Sequence, residues 1–465
     1  MKINPYRSAH NQGGPAAPYS RPTLFRAAER LSEHIRLPLF RNGYALLFSG
    51  AATSGLGLLY WAIAARLYPA ATVGLNSALV SAMLLLSGMA QLSLNNVLVR
   101  FIPVAGRDTR AIIVWSYLAS ALASMLLSVM FVIGVNTWSP ALKFLLSEPA
   151  WLWTFTVAVV AWSLFSLQDS ALTGLRRALV VPVENTIFSI VKIVLLVALA
   201  ASLKQAGIFV SWIVPVAFSL LPINWLIFRR YVPYLTALPA QPANRIERRA
   251  ILQYVGGNYL GTVLFLAYTN LLPILVANRN SPAANAYFFL PWMIAGGLQL
   301  IATNMTTSMV VEAAMDRTQV RAFSRRVLKQ TLRLLLPLVI VIVVGAPWLL
   351  RLFGPTYASE GAALMRWLAA AALPNVLVVL AISIARVTNR SWLVVAINAA
   401  VCAITLSIAY FLLPIFGIVA VGWAWTASQV SLAIVLAATV MRSTLWSSAK
   451  PDEHSVPNGV LADDN

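Results

Sequence analysis

Four charged residues lie inside long apolar stretches of the sequence: Asp169, Glu184, Lys192 and Arg366. A charge in the hydrocarbon region of a membrane costs a few kcal/mol on insertion scales, so it requires a partner or a water-filled cavity. Lys192 is the clearest case, because SIV precedes it and IVLLVAL follows it. Glu184 lies on the same helical face about 12 Å away along the axis, too far for an i, i+4 pair. Each is therefore predicted to meet a group on another helix.

These charges have both functional and structural interpretations. Lys192 could line a cavity as a cation, or it could belong to a buried ion pair. Asp169 and Glu184 could pair with Arg176 and Arg177 near the membrane interface. These two acids and two arginines could instead act as coupling or gating charges during transport. The sequence leaves both alternatives open.

Arg366 and a group of asparagines are further candidates for a polar lumen. Arg366 lies about five residues from the outer end of its span, so snorkelling explains it as well as a cavity role does. Asparagine amides inside spans commonly form interhelical hydrogen bonds, but they could also contact a polar substrate. The predicted substrate-binding residues are Lys192, Arg366, Asn95, Asn258 and Asn304, and further amides that could line the lumen are Asn96, Asn270, Asn375 and Asn398.

The same sequence argues against most enzyme chemistry. The single cysteine, Cys402, lies in an apolar run, and His10, His34 and His454 lie in the terminal tails. Neither a metal site nor a histidine acid–base group is therefore expected in the membrane body. No phosphate-binding Gly-rich motif with Lys-Ser/Thr occurs, and the longest outer segment, 136–150, is too short for a catalytic domain. We predict a protein that is not an enzyme and that uses no cofactor or metal.

Membrane-spanning helices must position these candidates. Of the 465 residues, 60% are hydrophobic and only 10% are charged, against about 25% charged in ordinary soluble proteins. Apolar stretches of about 20 to 26 residues recur, each long enough to cross a hydrocarbon core about 30 Å thick. The sequence predicts an all-α integral membrane protein with twelve spans, at 44–65, 75–99, 111–135, 151–173, 179–202, 207–228, 251–276, 286–310, 331–350, 361–385, 391–413 and 417–441.

The distribution of basic residues predicts the orientation of these spans. Twelve spans place 27 of the 34 Lys and Arg residues on the side of the N-terminus and five on the other side. Because cytoplasmic loops carry the excess of basic residues, both termini are predicted to be cytoplasmic. The net charge of +20 is then a consequence of topology, and no nucleic-acid partner is expected.

The spans are predicted to form two pseudo-symmetric six-helix bundles. An internal duplication is indicated by YPAATVGLNSA at 68–78 and SPAANAYFFLP at 281–291, each of which opens a helix with a Pro-Ala-Ala turn. The predicted organisation comprises a cytoplasmic N-terminal tail with a possible interfacial helix (1–42), an N-terminal half (43–228), a cytoplasmic linker (229–250), a C-terminal half (251–441) and a cytoplasmic C-terminal tail (442–465).

Three segments resemble a known transporter family: YWAIAARLYPAATVGLNSALVSAMLLLSGMAQLSLNNVLVRFIP (60–103), QDSALTGLRRALVVPVENTIFSIVK (168–192) and LPIFGIVAVGWAWTASQ (413–429). They are similar to the polysaccharide export proteins, the O-antigen flippase-like branch of the multidrug, oligosaccharidyl-lipid and polysaccharide exporter superfamily. The resemblance covers roughly residues 40–441. Its motifs are diffuse, but the twelve spans and the two halves agree with it.

The resemblance implies a flippase of the bacterial inner membrane. Its substrate would be a polyprenyl-pyrophosphate-linked oligosaccharide used in lipopolysaccharide or other surface polysaccharide biosynthesis. Lys192 and Arg366 would offset the pyrophosphate charge, and the two halves would rock about the cavity in alternating access. Membrane lipids and polysaccharide-assembly proteins are the implied partners.

Two other functions remain open on the sequence. An ion-coupled multidrug or small-molecule exporter of the same superfamily would carry a hydrophobic or cationic substrate. The scarcity of acidic residues in the spans and the charge of Lys192 favour an anionic substrate instead. A membrane scaffold of a glycan assembly complex, without transport activity, is the second alternative.

Overall fold

The chain is helical throughout the part that the structure describes. This structure is a computed structural model, and it describes residues 54–237, 248–315, 320–388 and 390–439. No β-strand occurs within these ranges. The prediction of an all-α protein is confirmed for these residues, whereas the predicted interfacial helix within 1–42 and both tails lie outside them.

The described α-helices vary from single turns to segments of more than thirty residues. In chain order they are α1 (Ser54–Leu67), α2 (Ala70–Ala90), α3 (Leu94–Phe101), α4 (Thr109–Ile133), α5 (Val135–Trp138), α6 (Pro149–Gly174), α7 (Val180–Leu199), α8 (Gly207–Leu226), α9 (Val232–Ala237), α10 (Arg248–Arg279), α11 (Pro282–Met315), α12 (Val320–Arg351), α13 (Pro355–Ala370), α14 (Ala372–Val387), α15 (Ser391–Phe416) and α16 (Val419–Leu436). Short 3₁₀ turns occupy Ile102–Val104, Gly106–Asp108 and Pro140–Leu146, and a π-helical turn occupies Ile227–Tyr231.

Most of the predicted spans coincide with long apolar helices. Within the described residues, ten segments are long and apolar enough to cross a membrane, and the bent pair α13–α14 makes an eleventh. The first predicted span, 44–65, is represented by α1, and the residues before Ser54 lie outside the described part. The count of twelve and the cytoplasmic placement of both termini stay predictions.

The tenth predicted span, 361–385, is two helices instead of one. Helices α13 and α14 meet at Ala371 with a bend of 43°. Pro374 follows the break and supplies no backbone N–H to the carbonyl of Ala370, with which its ring would also clash in a straight helix. Pro374 therefore determines the position of the bend.

Helices α2 and α11 form a close joint near their N-terminal ends. A Cβ at Gly74 of α2 would lie 1.6 Å from the carbonyl oxygen of Pro282, so only glycine permits this approach. Asn285 of α11 donates to the Gly74 carbonyl oxygen at 2.7 Å and to Ser77 Oγ at 3.0 Å. These helices begin in the two segments with the Pro-Ala-Ala turn. The duplication itself stays a prediction.

The outer surface of the helices is apolar. Large side chains such as Trp115, Leu221 and Phe411 are exposed, whereas the interior contains clustered aromatic and aliphatic side chains. An extensive apolar exterior matches a protein surrounded by lipid.

Candidate functional site

A cavity of about 1000 Å³, lined by both polar and apolar side chains, lies in the described part of the chain. Helices α10, α11, α14 and α15 form most of its wall, and α1, α3 and α16 complete it. Phe265 and Tyr268 of α10 contribute aromatic side chains. The amides along the wall are Asn96, Gln299, Asn375, Asn398 and Gln429. Asn96 is exposed and Gln299 half-buried, so these two can form hydrogen bonds with an uncharged polar ligand, whereas the other three amides are buried.

Arg386 is the only charged side chain among the described residues that line the cavity. It lies in the last turn of α14 and is exposed, close in sequence to Ser391 at the start of α15. None of the described lining residues is Asp or Glu. The described wall therefore carries a net positive charge, concentrated at one end.

The cavity has an open end and an enclosed end. Ser54, Arg386 and Ser391 at one end are exposed, and we call this end the mouth. At the other end, Asn375 donates through Nδ2 to Gln429 Oε1 at 2.9 Å, and we call this end the floor. Along α14 the mouth and the floor are separated by about 16 Å at 1.5 Å per residue, roughly half of a hydrocarbon core.

Contacts between distant helices are found at the helix ends that lie opposite the mouth. Arg66 of α1 donates through Nε to the carbonyl oxygen of Leu352 at 3.0 Å and through a terminal nitrogen to that of Arg351 at 3.0 Å. Asn278 of α10 accepts from the backbone N–H of Ala141 at 2.9 Å. These contacts tie the ends of α1 and α10 to segments far away in sequence. These contacts join helix ends that lie opposite the mouth, and we call this region the closed end.

Lys192 lies in an aromatic enclosure. Its ammonium is 4.1 Å from the ring centroid of Trp212, 4.9 Å from that of Phe188 and 5.0 Å from that of Tyr60. The residue is only 5% exposed. Such contacts with aromatic faces compensate a buried cation for part of its lost hydration. We call Lys192, Tyr60, Phe188 and Trp212 the lysine enclosure.

The placement of Lys192 differs from both sequence interpretations. It is absent from the described residues that line the cavity. The groups around its ammonium are aromatic rings from α1, α7 and α8, where a carboxylate would define an ion pair. Phe188 precedes Lys192 by one turn of the same helix, but the sequence could not show the contacts of Tyr60 and Trp212, because their helices meet α7 only in the fold.

The two carboxylates are partnered by amides. Glu184 Oε1 accepts from Gln168 Nε2 at 2.5 Å, and Gln168 Oε1 accepts from Asn224 Nδ2 at 2.6 Å. Asp169 Oδ2 accepts from Asn185 Nδ2 at 3.2 Å. The second oxygen of each carboxylate is buried, and the Ser219 hydroxyl lies close to Glu184. Asp169 Oδ1 has no hydrogen-bond partner, so this acid has one accepting position available.

The arginines expected beside these acids lie elsewhere. Arg176 and Arg177 are both exposed. The Arg177 guanidinium lies 5.2 Å from the ring centroid of Tyr231 and 5.4 Å from that of Tyr234. In place of the predicted pairs, the two acids contact amides and Arg177 contacts aromatic rings.

The other predicted cavity residues are also distributed differently. Arg366 is exposed and donates through Nε to the Val343 carbonyl oxygen at 3.2 Å, away from the cavity wall. Asn95 donates to Gln91 Oε1 at 2.7 Å, and its neighbour Asn96 lines the cavity instead. Asn304 is exposed and is not among the described lining residues, and the side chain of Asn258 lies outside the described part.

Sequence reasoning missed Arg386 as a cavity residue. Arg386 lies between two apolar stretches, where the excess of basic residues in cytoplasmic loops is enough to explain an arginine. The available signal was the set of polar residues on both sides of it, Asn375 and Ser383 before and Ser391 and Asn398 after. All four line the cavity with it.

The fold is similar to that of known transporters. Neither a family model nor a curated protein matches the chain. A multidrug resistance MATE family transporter of the MOP superfamily, in an inward-facing conformation, superimposes with a TM-score of 0.64 and 14% identity, covering 82% of this chain and 92% of that one. The lipid II flippase MurJ, in an inward closed conformation, gives 0.63 and 12%, covering 86% and 87%.

A mutant of VcmN, a MATE transporter of Vibrio cholerae, gives a TM-score of 0.59 and 15% identity, covering 90% of this chain and 98% of that one. At these identities the likeness concerns the fold. The comparisons therefore show a fold shared with a MATE family transporter of the MOP superfamily and with the lipid II flippase MurJ.

Proposed function

We propose that this protein is a flippase that moves a polyprenyl-pyrophosphate-linked oligosaccharide across the bacterial inner membrane, for the synthesis of lipopolysaccharide or another surface polysaccharide. The observation that carries the proposal is the charge of the cavity: Arg386 is the only charged side chain among its described lining residues. An anionic headgroup is favoured there, and a cationic drug is disfavoured.

The chemistry of Arg386 fits a pyrophosphate. The planar guanidinium donates two parallel hydrogen bonds to phosphate oxygens and stays charged at any physiological pH. In this role Arg386 replaces Lys192 and Arg366, to which the family resemblance assigned the pyrophosphate charge. The amides and the two aromatic side chains of the wall suit the sugars.

The proposed cycle is alternating access between two halves, 43–228 and 251–441. In the predicted topology the mouth of the cavity faces the cytoplasm, where the lipid-linked substrate is made. The headgroup enters at the mouth, and the polyprenyl tail remains in lipid because it needs no aqueous path. Breaking the contacts of Arg66 and Asn278 at the closed end would open the other side.

Asp169 and Glu184 are proposed as coupling charges. Each has a buried carboxylate oxygen outside its amide contact, so each can accept a proton or contribute to binding a cation. Arg176 and Arg177 are exposed and are not needed for this role. Replacement of Asp169 by Asn and of Glu184 by Gln should then remove the dependence of transport on an ion gradient without changing abundance.

Reconstituted vesicles test the substrate directly. A fluorescent polyprenyl-pyrophosphate oligosaccharide is placed in one leaflet, and its arrival in the other is followed by a membrane-impermeant quencher. We expect wild-type protein to accelerate transfer, Arg386→Ala to slow it about tenfold, and Arg386→Lys to retain part of the rate. Arg366→Ala is the matched control, because this arginine lies outside the cavity wall, and its rate should equal that of wild type.

The alternative functions predict other outcomes in the same vesicles. A multidrug exporter would move a cationic dye such as rhodamine 6G and leave the lipid-linked glycan in place. A scaffold would move neither compound, although it would be needed for polysaccharide assembly in cells. Either result would contradict the flippase assignment.

A further inference from the structure

A second cavity, of about 280 Å³, lies between α7 and α8 and shares no described lining residue with the first. Ile187 and Val191 of α7 and Phe218 and Pro222 of α8 line it, and all four are exposed on the outer surface. Its volume is below the ~300–1000 Å³ that is typical of sites for drug-sized ligands. We call this space the α7–α8 groove. Its opening toward lipid and its apolar side chains suit a hydrocarbon chain.

The prolines of α8 explain why the two helices leave a space between them. Pro215 and Pro222 both lie inside α8, and both line the groove. A proline inside a helix removes a backbone hydrogen bond and bends the helix, which separates it from a neighbour. Glu184 is the only charged side chain among the described lining residues, and it is buried and accepts from Gln168. A ligand in the groove therefore meets mainly apolar groups.

Four exposed arginines lie at the end of the groove that faces the cytoplasm in the predicted topology. Two of them come just before α7 and two follow α8 in the π-helical turn, and we call them the arginine rim: Arg176, Arg177, Arg229 and Arg230. The two segments meet in one apolar cluster, which contains Leu175 and Ile227. Arg229 follows Pro222 of the groove by about 10 Å at 1.5 Å per residue, a distance that a long side chain shortens further.

Arg177 is held in position at the rim. Its guanidinium lies 5.2 Å from the ring centroid of Tyr231 and 5.4 Å from that of Tyr234. These contacts restrict the side chain, and a guanidinium has more N–H donors than two ring contacts can occupy. Arg177 can therefore donate to phosphate oxygens without leaving the two rings.

Arg176 occupies a backbone position at which glycine is preferred. Its φ is +59°, in the left-handed region, and the next N–H, that of Arg177, donates to the Leu172 carbonyl oxygen at 2.8 Å as the chain leaves α6. Glycine is the usual residue at this position of a helix C-terminus, because it has no Cβ. The end of the helix therefore does not call for an arginine. What arginine adds there is an exposed positive charge at the rim.

We propose that the α7–α8 groove and the arginine rim bind one anionic phospholipid of the cytoplasmic leaflet, with its phosphate at Arg177 and Arg229 and an acyl chain in the groove. Anionic lipids of this leaflet attract basic groups at the membrane surface, and basic pockets between helices bind their headgroups. The inference goes beyond the proposed function, because this lipid is not transported. A bound lipid would hold together the ends of α7 and α8, the helices that carry Glu184 and Lys192.

Native mass spectrometry of the purified full-length protein tests the headgroup. Phosphatidylglycerol is compared with phosphatidylcholine that has the same acyl chains. We expect wild-type protein to bind phosphatidylglycerol about tenfold more tightly, and Arg177→Ala and Arg229→Ala each to reduce this preference about threefold.

Arg326→Ala is the matched control for the rim. Arg326 is also exposed and lies on the same side in the predicted topology, but it belongs to α12, outside the rim. Its replacement should leave the preference unchanged. Basic residues are common on this side of any membrane protein, so an equal loss with Arg326→Ala would overturn the proposal in favour of a general effect of charge.

Ile187→Trp tests the groove. The indole ring fills the space of the acyl chain, so we expect the affinity for phosphatidylglycerol to fall about tenfold. Ile190→Trp is the matched control, because Ile190 is 50% exposed on the same helix and is not among the described residues of the groove. Equal binding by Ile187→Trp and wild-type protein would overturn the placement of the chain.

Arg176→Gly separates lipid binding from folding. Glycine suits the left-handed backbone, so the melting temperature without added lipid should not fall, whereas binding of phosphatidylglycerol should weaken about threefold. A lower melting temperature together with unchanged lipid binding would show that Arg176 has a structural role and would overturn its place in the rim.

Competition experiments distinguish the phospholipid from other occupants. Polyprenyl phosphate that displaces phosphatidylglycerol at equal concentration would assign the groove to the carrier of the transported substrate. Inorganic phosphate that displaces it would show an anion site at the rim without a chain in the groove. Either result would overturn the assignment to a phospholipid, and displacement by neither compound supports it. Wild-type protein that binds phosphatidylglycerol as described but moves no lipid-linked glycan would contradict the flippase assignment alone.

Discussion

Lys192 and Arg386 are basic residues in two regions of the molecule that treat a cation in opposite ways. The lysine enclosure surrounds its ammonium with three aromatic rings from α1, α7 and α8. The cavity leaves its arginine exposed among amides and hydroxyls at the end of α14. A cation that is already enclosed has little capacity for a ligand, whereas an exposed one in a polar cavity can bind an anion. The burial of a basic residue inside a span therefore does not by itself show that the residue binds a ligand.

Helix α1 links the two regions. Ser54 and Gly57 on this helix line the cavity, whereas Tyr60 belongs to the lysine enclosure and donates to the Ile208 carbonyl oxygen at 2.8 Å. Arg66 at the end of the helix holds the closed end. A movement of α1 would therefore affect the cavity, the enclosure and the closed end together.

Reversing the charge in the enclosure should have the largest effect. Lys192→Glu places a carboxylate against the electron-rich faces of three rings, without a positive partner. We expect a loss of about 3–5 kcal/mol, the range for an uncompensated buried charge, and therefore little protein in the membrane. Lys204→Glu is the control, because Lys204 is exposed. Normal abundance of Lys192→Glu in quantitative immunoblots would contradict the aromatic enclosure.

The joint between α2 and α11 should be the next most sensitive position. Gly74→Ala forces a Cβ into the Pro282 carbonyl, so the two helices must separate, at a cost of about 1–3 kcal/mol or more. Gly57→Ala is the matched control, since a Cβ there meets nothing within 4 Å. Thermal unfolding in detergent measures both variants. Equal melting temperatures would show that the close joint is not formed.

Weakening the closed end should shift the conformation without unfolding the protein. Arg66→Ala removes the hydrogen bonds to the carbonyls of Arg351 and Leu352. A loss of about 1 kcal/mol would increase the state open at the other end about fivefold. With Cys402 replaced by serine, labelling of a cysteine at Gln299 in the cavity should slow. Unchanged or faster labelling would argue against a gate at Arg66, and Arg366→Ala provides the control.

The sequence predicted the fold better than the site. Apolar length is set by the membrane, so α4 and α15 could be placed from composition alone. The spans predicted at 75–99 and 361–385 are each broken into two helices, the first at 91–93 and the second at Ala371. In the lysine enclosure, Phe188 lies one turn before Lys192 on α7, but Trp212 of α8 and Tyr60 of α1 come from other helices, and no local pattern contains those two contacts.

Arg386 could not be identified from the sequence for a different reason. Basic residues are common at the cytoplasmic ends of spans in membrane proteins, so the position of Arg386 did not indicate a binding site. The cavity identifies it, because its neighbours on the wall are polar and it is the only charged group among those described. A charged residue within a span costs free energy. Whether it can bind a ligand depends on whether it faces an open cavity.

The smallest effect on stability is expected for Lys192→Met. Methionine keeps an unbranched apolar side chain of similar length and removes the charge, and replacement of a buried charge by an apolar group is often neutral or favourable. Abundance and melting temperature should therefore remain close to those of wild type. A strong loss of protein with methionine would show that the positive charge itself stabilises the enclosure.

The most direct test compares Lys192→Met with Arg386→Ala for transfer of the lipid-linked oligosaccharide per molecule of inserted protein. The account predicts a rate near wild type for Lys192→Met and a rate about tenfold lower for Arg386→Ala. The reverse order, with Lys192→Met inactive and Arg386→Ala active at normal abundance, would contradict the assignment of the anionic headgroup to Arg386.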